Sequence, residues 1–181
     1  MKGMIFTELL DMLEAAHGLS CKDRVLQRAH PASGGSYTAV GDYGADELLD
    51  LVKAISVETG AREDALLEAF GTHMFGHFTR HYGRFFQKST SCFDFLGHVE
   101  SYIHVEVRKL YPEAELPTFI YPEAGPDRLV MEYRSPRPLA AFATGLVRAA
   151  IAHFGEPMDL TVDDLSSGKG TAARYTVTRA G

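Results

Sequence analysis

The hydrophobic pattern of this chain changes once, near Pro112, and that change constrains the fold more than any other feature. Before Pro112, apolar residues recur every three or four positions, which is typical of amphipathic helices. After it, short stretches alternate apolar and polar residues as strands do, interrupted by one further helical stretch over residues 138–154. We therefore predict an α+β fold: a helical half, then two strands, a helix and two strands.

Capping and turn residues place the elements along the chain. A first helix is expected to stop at Gly18, and turn formers in residues 30–44 interrupt the helical half. One long helix is expected to open at Ser89 or Thr90 and to end before Pro112. The other predicted helices cover residues 20–29, 46–59 and 62–86, and the last of these is expected to break near Gly83 or earlier. The predicted hairpins cover residues 117–135 and 158–179.

Composition excludes several classes of protein. With 181 residues and 45% hydrophobic residues, the chain can bury the core of one domain. A net charge of −6 argues against nucleic-acid binding, which needs a basic surface. No apolar run approaches about 18 residues, so we expect no membrane span.

The beginning of the chain and its cysteines favour a cytoplasmic protein. The first helix is amphipathic and carries Glu8, Asp11 and Glu14, unlike the apolar centre of a secretory signal. Cys21 and Cys92 are far apart and form neither a zinc-ribbon pair nor the CxxCH motif that attaches haem covalently.

His104 is the candidate functional residue of the helical half, because it interrupts an apolar stretch, SYIHVEV. The ordinary interpretation is a core histidine with one hydrogen bond. Zinc would need three or four ligands, and only Glu100, Glu106 and His98 lie nearby. A haem iron, by contrast, needs only one histidine from the protein.

A second polar group follows in the stretch YRSPRP. Tyr133, Ser135 and Arg137 alternate, so in an extended segment they face the same side. Pro136 and Pro138 favour that extended conformation in the residues before them. Two hydroxyl groups and a guanidinium can bind carboxylates such as haem propionates. Taken alone, the stretch is better explained as a polar strand end.

The two groups together resemble the signature of the haem-nitric oxide/oxygen binding (H-NOX) family. The spacing is His104, twelve residues, Pro117, fifteen residues, then Tyr133-x-Ser135-x-Arg137. MKGMIF and HVEVRKLYPEAELP are also similar to bacterial stand-alone members, which are related to the sensor domain of soluble guanylate cyclase. The resemblance covers essentially the whole chain.

The resemblance implies a cofactor, a fold and residue roles. Haem b would be held noncovalently, with His104 as its axial iron ligand, Pro117 distorting the ring, and Tyr133, Ser135 and Arg137 binding the propionates. It would lie between a helical N-terminal lobe, residues 1–62, and a C-terminal lobe, residues 63–181. The C-terminal lobe would contain a four-stranded antiparallel sheet and helices.

The resemblance also indicates which gas is bound. Family members that bind O2 carry a distal tyrosine donor at the position of Phe142, which cannot donate a hydrogen bond. The sequence therefore predicts binding of nitric oxide and CO without stable O2 binding, although Tyr37, Tyr43 or Tyr82 could supply a donor. The distal pocket implied by the family consists of Ile5, Leu9, Met74, Phe78, Phe142 and Leu146.

The implied function is a non-enzymatic nitric oxide sensor. Binding would weaken or break the iron–His104 bond, and the resulting conformational change would regulate a separate partner. In the family that partner is commonly a histidine kinase or a diguanylate cyclase or phosphodiesterase. The alternatives are an O2-binding haem sensor, a haem enzyme of the peroxidase or oxygenase type, and a haem-free interaction module.

Two further patterns are interpreted without a functional role. His73, His77 and His81 recur every four residues, which resembles a metal stripe, but we expect a solvated helix edge because no carboxylate is near in sequence. SGKGT is expected to be a hairpin turn. Some family members hold zinc near this turn, but the corresponding stretch here, DDLSSGKGTAARY, contains neither Cys nor His, so we expect no zinc.

Overall fold

A helical half precedes the sheet along the chain, and one further helix lies between the two hairpins, as the sequence predicts. The structure is a computed structural model and describes residues 1–180. Within these residues the helices are α1 (Gly3–His17), α2 (Leu19–Ala29), α3 (Ala45–Thr59), α4 (Glu63–His81), α5 (Cys92–Gly97), α6 (His104–Leu110) and α7 (Ala140–Phe154). The strands are β1 (Thr118–Ala124), β2 (Arg128–Arg134), β3 (Met158–Asp164) and β4 (Ala172–Arg179). None of the helices described is both long and apolar enough to cross a membrane.

The strands form one antiparallel sheet in the order β1-β2-β4-β3. Both hairpins predicted from the sequence are present, and α7 connects them and packs on one face of the sheet. The Tyr175 side chain on β4 is fully buried, and its hydroxyl donates to the Ala140 carbonyl at 2.8 Å. This bond ties the start of α7 to the central part of the sheet.

Two hydrophobic cores meet along α4. The first lies among α1, α2, α3 and the first part of α4, where Phe70 and Met74 are fully buried. The second lies between the sheet, α5 and α7, and Phe75 of α4 belongs to it. Phe142 and Leu146 on α7 pack against the first core from the other side. Different faces of α4 therefore contribute side chains to the two cores.

The close contact of α4 with α7 depends on two glycines. A Cβ atom at Gly71 would overlap the backbone carbonyl of Phe142, and one at Gly145 would overlap that of Glu68. Both neighbours are backbone atoms of packed helices, which cannot rotate away as a side chain can. The glycines therefore set the separation of the two helices.

We expect Gly145→Ala to destabilise the protein by about 1–3 kcal/mol, because a methyl group would force α4 and α7 apart. Gly76→Ala on α4 is the matched control: its Cβ would contact only the flexible end of Arg80 at 3.4 Å. Replacing that helix-interior glycine should instead stabilise the helix by about 0.5–1 kcal/mol. Urea unfolding of both variants measures the difference, and equal stabilities would contradict the role of Gly145.

The long helix expected to open at Ser89 or Thr90 is interrupted, so that prediction was wrong. After α5 ends at Gly97, the residues Val99–Ile103 form a π-helical turn that leads directly into α6. The Ile103 amide accordingly bonds to the His98 carbonyl at 3.2 Å, five residues back. Glycine favours such a break because it is a poor helix former. His104 is the first residue of α6.

Candidate functional site

A cavity of about 580 Å³ lies where the two cores meet. The cavity is lined by residues from α1, α4, α6 and α7, from the segment before β1, and from the sheet. The wall is mostly apolar, with polar side chains confined to a few positions. A volume of this size and an apolar wall with few polar groups are typical of a small-molecule or cofactor site.

His104 is part of the cavity wall and is 8% exposed. Its Nδ1 atom lies 3.0 Å from Oε2 of Glu100 in the π-helical turn. Burial lowers the pKa of His104 below its ordinary value, although the Glu100 carboxylate acts in the opposite direction. A neutral imidazole that donates Nδ1–H to Glu100 keeps its lone pair on Nε2, the atom that can then bind a metal.

Glu100 has two partners besides His104. Its Oε2 atom accepts a hydrogen bond from the Phe119 amide at 3.0 Å, and Oε1 lies 3.5 Å from Nη2 of Arg108. Burial would raise the pKa of Glu100, but the hydrogen bonds from Phe119 and His104 outweigh burial and hold the pKa below its ordinary value. The sequence suggested Glu100 only as a possible zinc ligand, although its position four residues before His104 indicates contact on one helix face.

The three residues of the YxSxR motif form a polar part of the cavity wall. Tyr133 is 2% exposed, and burial raises the pKa of its hydroxyl, which therefore stays a hydrogen-bond donor. The Ser135 hydroxyl accepts a bond from the Arg137 amide at 3.0 Å. The Arg137 guanidinium forms an ion pair with the Glu115 carboxylate and donates to the Glu115 carbonyl at 2.9 Å. Pro117, close by in sequence, also lines the cavity.

The structure brings four of the six residues expected in the distal pocket to the cavity. Ile5, Phe78, Phe142 and Leu146 line it. Leu9 and Met74 instead lie within the first core, where they are 1% and 0% exposed. Both residues belong to helices that line the cavity, but their side chains pack within the first core instead.

Of the three tyrosines considered as possible donors, only Tyr82 lines the cavity. Its hydroxyl lies 3.1 Å from that of Tyr111, and burial raises the pKa of Tyr82 to about 12. The Tyr37 hydroxyl instead donates to Glu47 at 2.7 Å, and the Tyr43 hydroxyl accepts from the Thr38 amide at 2.9 Å. The sequence could not place any of these three tyrosines. The structure places Tyr82 at the cavity wall, and Tyr37 and Tyr43 elsewhere.

The histidine stripe of α4 differs from the solvated edge that we expected. Glu8 on α1 lies 2.8 Å from Nε2 of His73 through one carboxylate oxygen and 2.8 Å from Nδ1 of His77 through the other. The His77 side chain is only 13% exposed, and burial lowers its pKa. The carboxylate that seemed missing is supplied by another helix, and the contact joins α1 to α4.

The donor set of the cavity fits a haem. An apolar wall could enclose the ring, the Nε2 atom of His104 could bind the iron, and the Tyr133, Ser135 and Arg137 group could bind the two carboxylates. A smaller metal site would need several protein ligands converging on one point, and the polar groups here are distributed along the wall instead.

Comparison with known proteins supports this interpretation. The model of the haem-NO-binding family, HNOB, matches residues 2–162. The unliganded Fe(II) H-NOX protein from K. algicida is 33% identical, with a TM-score of 0.95 over 100% of this chain and 97% of that chain. The H-NOX protein from S. oneidensis in the Fe(II)NO state is 25% identical, with a TM-score of 0.89 over 100% of both chains.

A third structure, the IWP-051-bound H-NOX protein from Shewanella woodyi in the Fe(II)CO state, is 34% identical. Its TM-score is 0.83, over 99% of this chain and 95% of that chain. No curated protein sequence matches this chain. The match to the family model covers most of the sequence, and the similarity of fold extends over the whole chain. The chain therefore belongs to the haem-NO-binding (H-NOX) family of haem-binding gas-sensor domains.

Proposed function

We propose that this protein is a nitric oxide sensor that binds haem b noncovalently, responds to nitric oxide and CO, and does not hold O2 stably. The observation that carries this proposal is a cavity in which the buried His104 imidazole and the Tyr133, Ser135 and Arg137 group share an otherwise apolar wall. When bound, ferrous haem would supply an iron centre that takes diatomic gases. His104 would hold the iron through Nε2, and no zinc is required.

The apolar side chains of the wall favour nitric oxide over O2. Bound O2 takes up negative charge and is stabilised by a hydrogen-bond donor, whereas nitric oxide needs none. Ile5, Phe78 and Phe142 cannot donate a hydrogen bond. The hydroxyls of Tyr82 and Tyr111 lie 3.1 Å apart and bond to each other, so the expectation of weak O2 binding rests on the apolar side chains of the wall.

The position of His104 at the start of α6 supports a role in signalling. A movement of the imidazole would be transmitted to α6 directly and to β1 through the Glu100–Phe119 bond. Such a two-state change regulates a partner only as far as the partner distinguishes the two states. We propose a histidine kinase or a diguanylate cyclase or phosphodiesterase as that partner.

Absorption spectra test the proposal and separate it from its alternatives. The protein is expressed, assayed for haem, reduced, and exposed in turn to O2, CO and nitric oxide. We expect stoichiometric haem, a ferrous spectrum unchanged by O2, and distinct CO and nitric oxide adducts. A stable O2 adduct would indicate an O2 sensor, turnover of peroxide would indicate an enzyme, and failure to bind added haem would indicate a haem-free module.

We expect Arg137→Gln to weaken haem binding by about 10-fold, because a charge-assisted hydrogen bond contributes about 1.5–3 kcal/mol and this one is partly exposed to water. Glu115→Gln is the matched control: it breaks the same ion pair but leaves the guanidinium in place. Haem transfer to apomyoglobin measures the dissociation rate. Faster haem loss from both variants would assign Arg137 a purely structural role.

A further inference from the structure

Glu100 makes contacts that indicate a role beyond stabilising the fold. One carboxylate oxygen lies within hydrogen-bond distance of both the His104 ring and the Phe119 amide, and the other faces Arg108. Glu100 belongs to the π-helical turn Val99–Ile103, whereas His104 begins the α-helix that follows. Single π turns of this kind occur frequently at functional sites. Here the turn brings the carboxylate and the imidazole together.

We propose that Glu100 is a positioning residue that sets the strength of the iron–His104 bond and so determines how readily nitric oxide releases His104. The inference rests on the proposed function and extends it by naming a residue that tunes the response. A carboxylate that accepts the outer N–H of a metal-bound histidine fixes the ring and makes its other nitrogen a stronger ligand. The stronger the bond, the smaller the fraction of protein in which nitric oxide releases the histidine.

The surroundings of Glu100 support an ionised carboxylate that acts mainly on His104. The carboxylate accepts from the Phe119 amide as well, which fixes its direction. Arg108 is the only cation within 4 Å among the contacts described; it lies at 3.5 Å and its side chain is 43% exposed. Water screens part of the Arg108 charge, so Arg108 neutralises Glu100 only in part and negative charge remains available to the imidazole.

The Phe119 contact gives Glu100 a second role. Phe119 lies in β1, two residues after Pro117, and its ring packs against that of His104 with centroids 5.7 Å apart. One carboxylate thus connects the imidazole to the strand that follows the proposed haem-distorting proline. If His104 leaves the iron, Glu100 can carry the displacement into the sheet as well as into α6.

The test compares Glu100→Gln with Glu106→Gln in the haem-loaded protein. Gln keeps the size of Glu and can still accept the Phe119 hydrogen bond, but it removes the charge beside His104. Glu106 lies on α6 and pairs with Lys109 rather than with His104, so its variant is the matched control. The readouts are the iron–histidine stretching frequency of the ferrous protein, the haem midpoint potential, and the ratio of His-ligated to His-released nitric oxide adducts.

For Glu100→Gln we expect a lower stretching frequency, a higher midpoint potential, and a shift of the adduct ratio toward release by about 10–100-fold. Glu106→Gln should match the wild type. Arg108→Gln should shift the frequency in the opposite direction, because it removes the cation that partly neutralises Glu100. This exposed substitution also keeps the inference testable if Glu100→Gln does not fold.

The outcomes separate the inference from the proposed function. If the wild-type ferrous protein shows no iron–histidine stretch, the proposed function fails and the inference fails with it. If the wild type shows the stretch but Glu100→Gln matches Glu106→Gln, Glu100 does not tune the bond and only the inference is overturned. If Glu100→Gln is unfolded and Arg108→Gln leaves the frequency unchanged, the inference is also overturned.

Discussion

His104→Ala is expected to lower the affinity for haem by at least about 100-fold. Removing a residue that only orients a metal ligand typically costs about 10–100-fold in affinity, so removing the ligand itself should cost more. The cavity would keep its apolar wall and the Tyr133, Ser135 and Arg137 group, so residual binding should persist. Haem titration of the apoprotein, followed by absorption, measures the loss.

His98→Ala is the matched control for this substitution. His98 lies next to the π-helical turn, but its side chain is 59% exposed and its ring bonds to Asp94. Added imidazole should restore the ferrous spectrum of His104→Ala, because a free ring can enter the space left by the side chain. Unchanged haem affinity in His104→Ala, or equal losses in the two variants, would show that another residue holds the iron.

The order of elements and the fold class followed from local signals. The change of hydrophobic period near Pro112, the turn residues of the two hairpins, and the glycine after each of several helices are all properties of short segments. The resemblance to H-NOX proteins added the family, which the match over residues 2–162 confirms. Local pattern and family signature together were therefore sufficient for the fold.

Several contacts in and around the site are ones that no local pattern contains. The π-helical turn before His104 was missed because apolar spacing alone does not distinguish one continuous helix from two joined pieces. Glu8 reaches His73 and His77 from another helix, and Leu9 and Met74 turn into the first core. In each case packing between distant segments decides where the side chain points, and this is the information that a single sequence holds least directly.

Phe142→Tyr is expected to convert the protein into one that binds O2 detectably. Phe142 lines the cavity from α7 and packs against Phe70 with ring centroids 5.3 Å apart. A hydroxyl added to this ring can point into an apolar space, where one hydrogen bond to bound O2 contributes about 1–3 kcal/mol. That corresponds to about a 5–150-fold gain in O2 affinity, with a much smaller change for CO.

Phe142→Leu separates the effect of the donor from the effect of disturbed packing. It alters the same contact with Phe70 but adds no hydroxyl, so its ferrous protein should resemble the wild type in O2. Ferrous protein is titrated with O2 and CO, and the ratio of the two affinities is compared among the three proteins. A gain for Phe142→Leu equal to that for Phe142→Tyr would mean that access to the iron, rather than a hydrogen bond, limits O2 binding.

If the wild type itself binds O2, a hydrogen-bond donor is already present in the cavity. In that case Tyr82, whose hydroxyl is shared with Tyr111 at the cavity wall, is the residue to replace next.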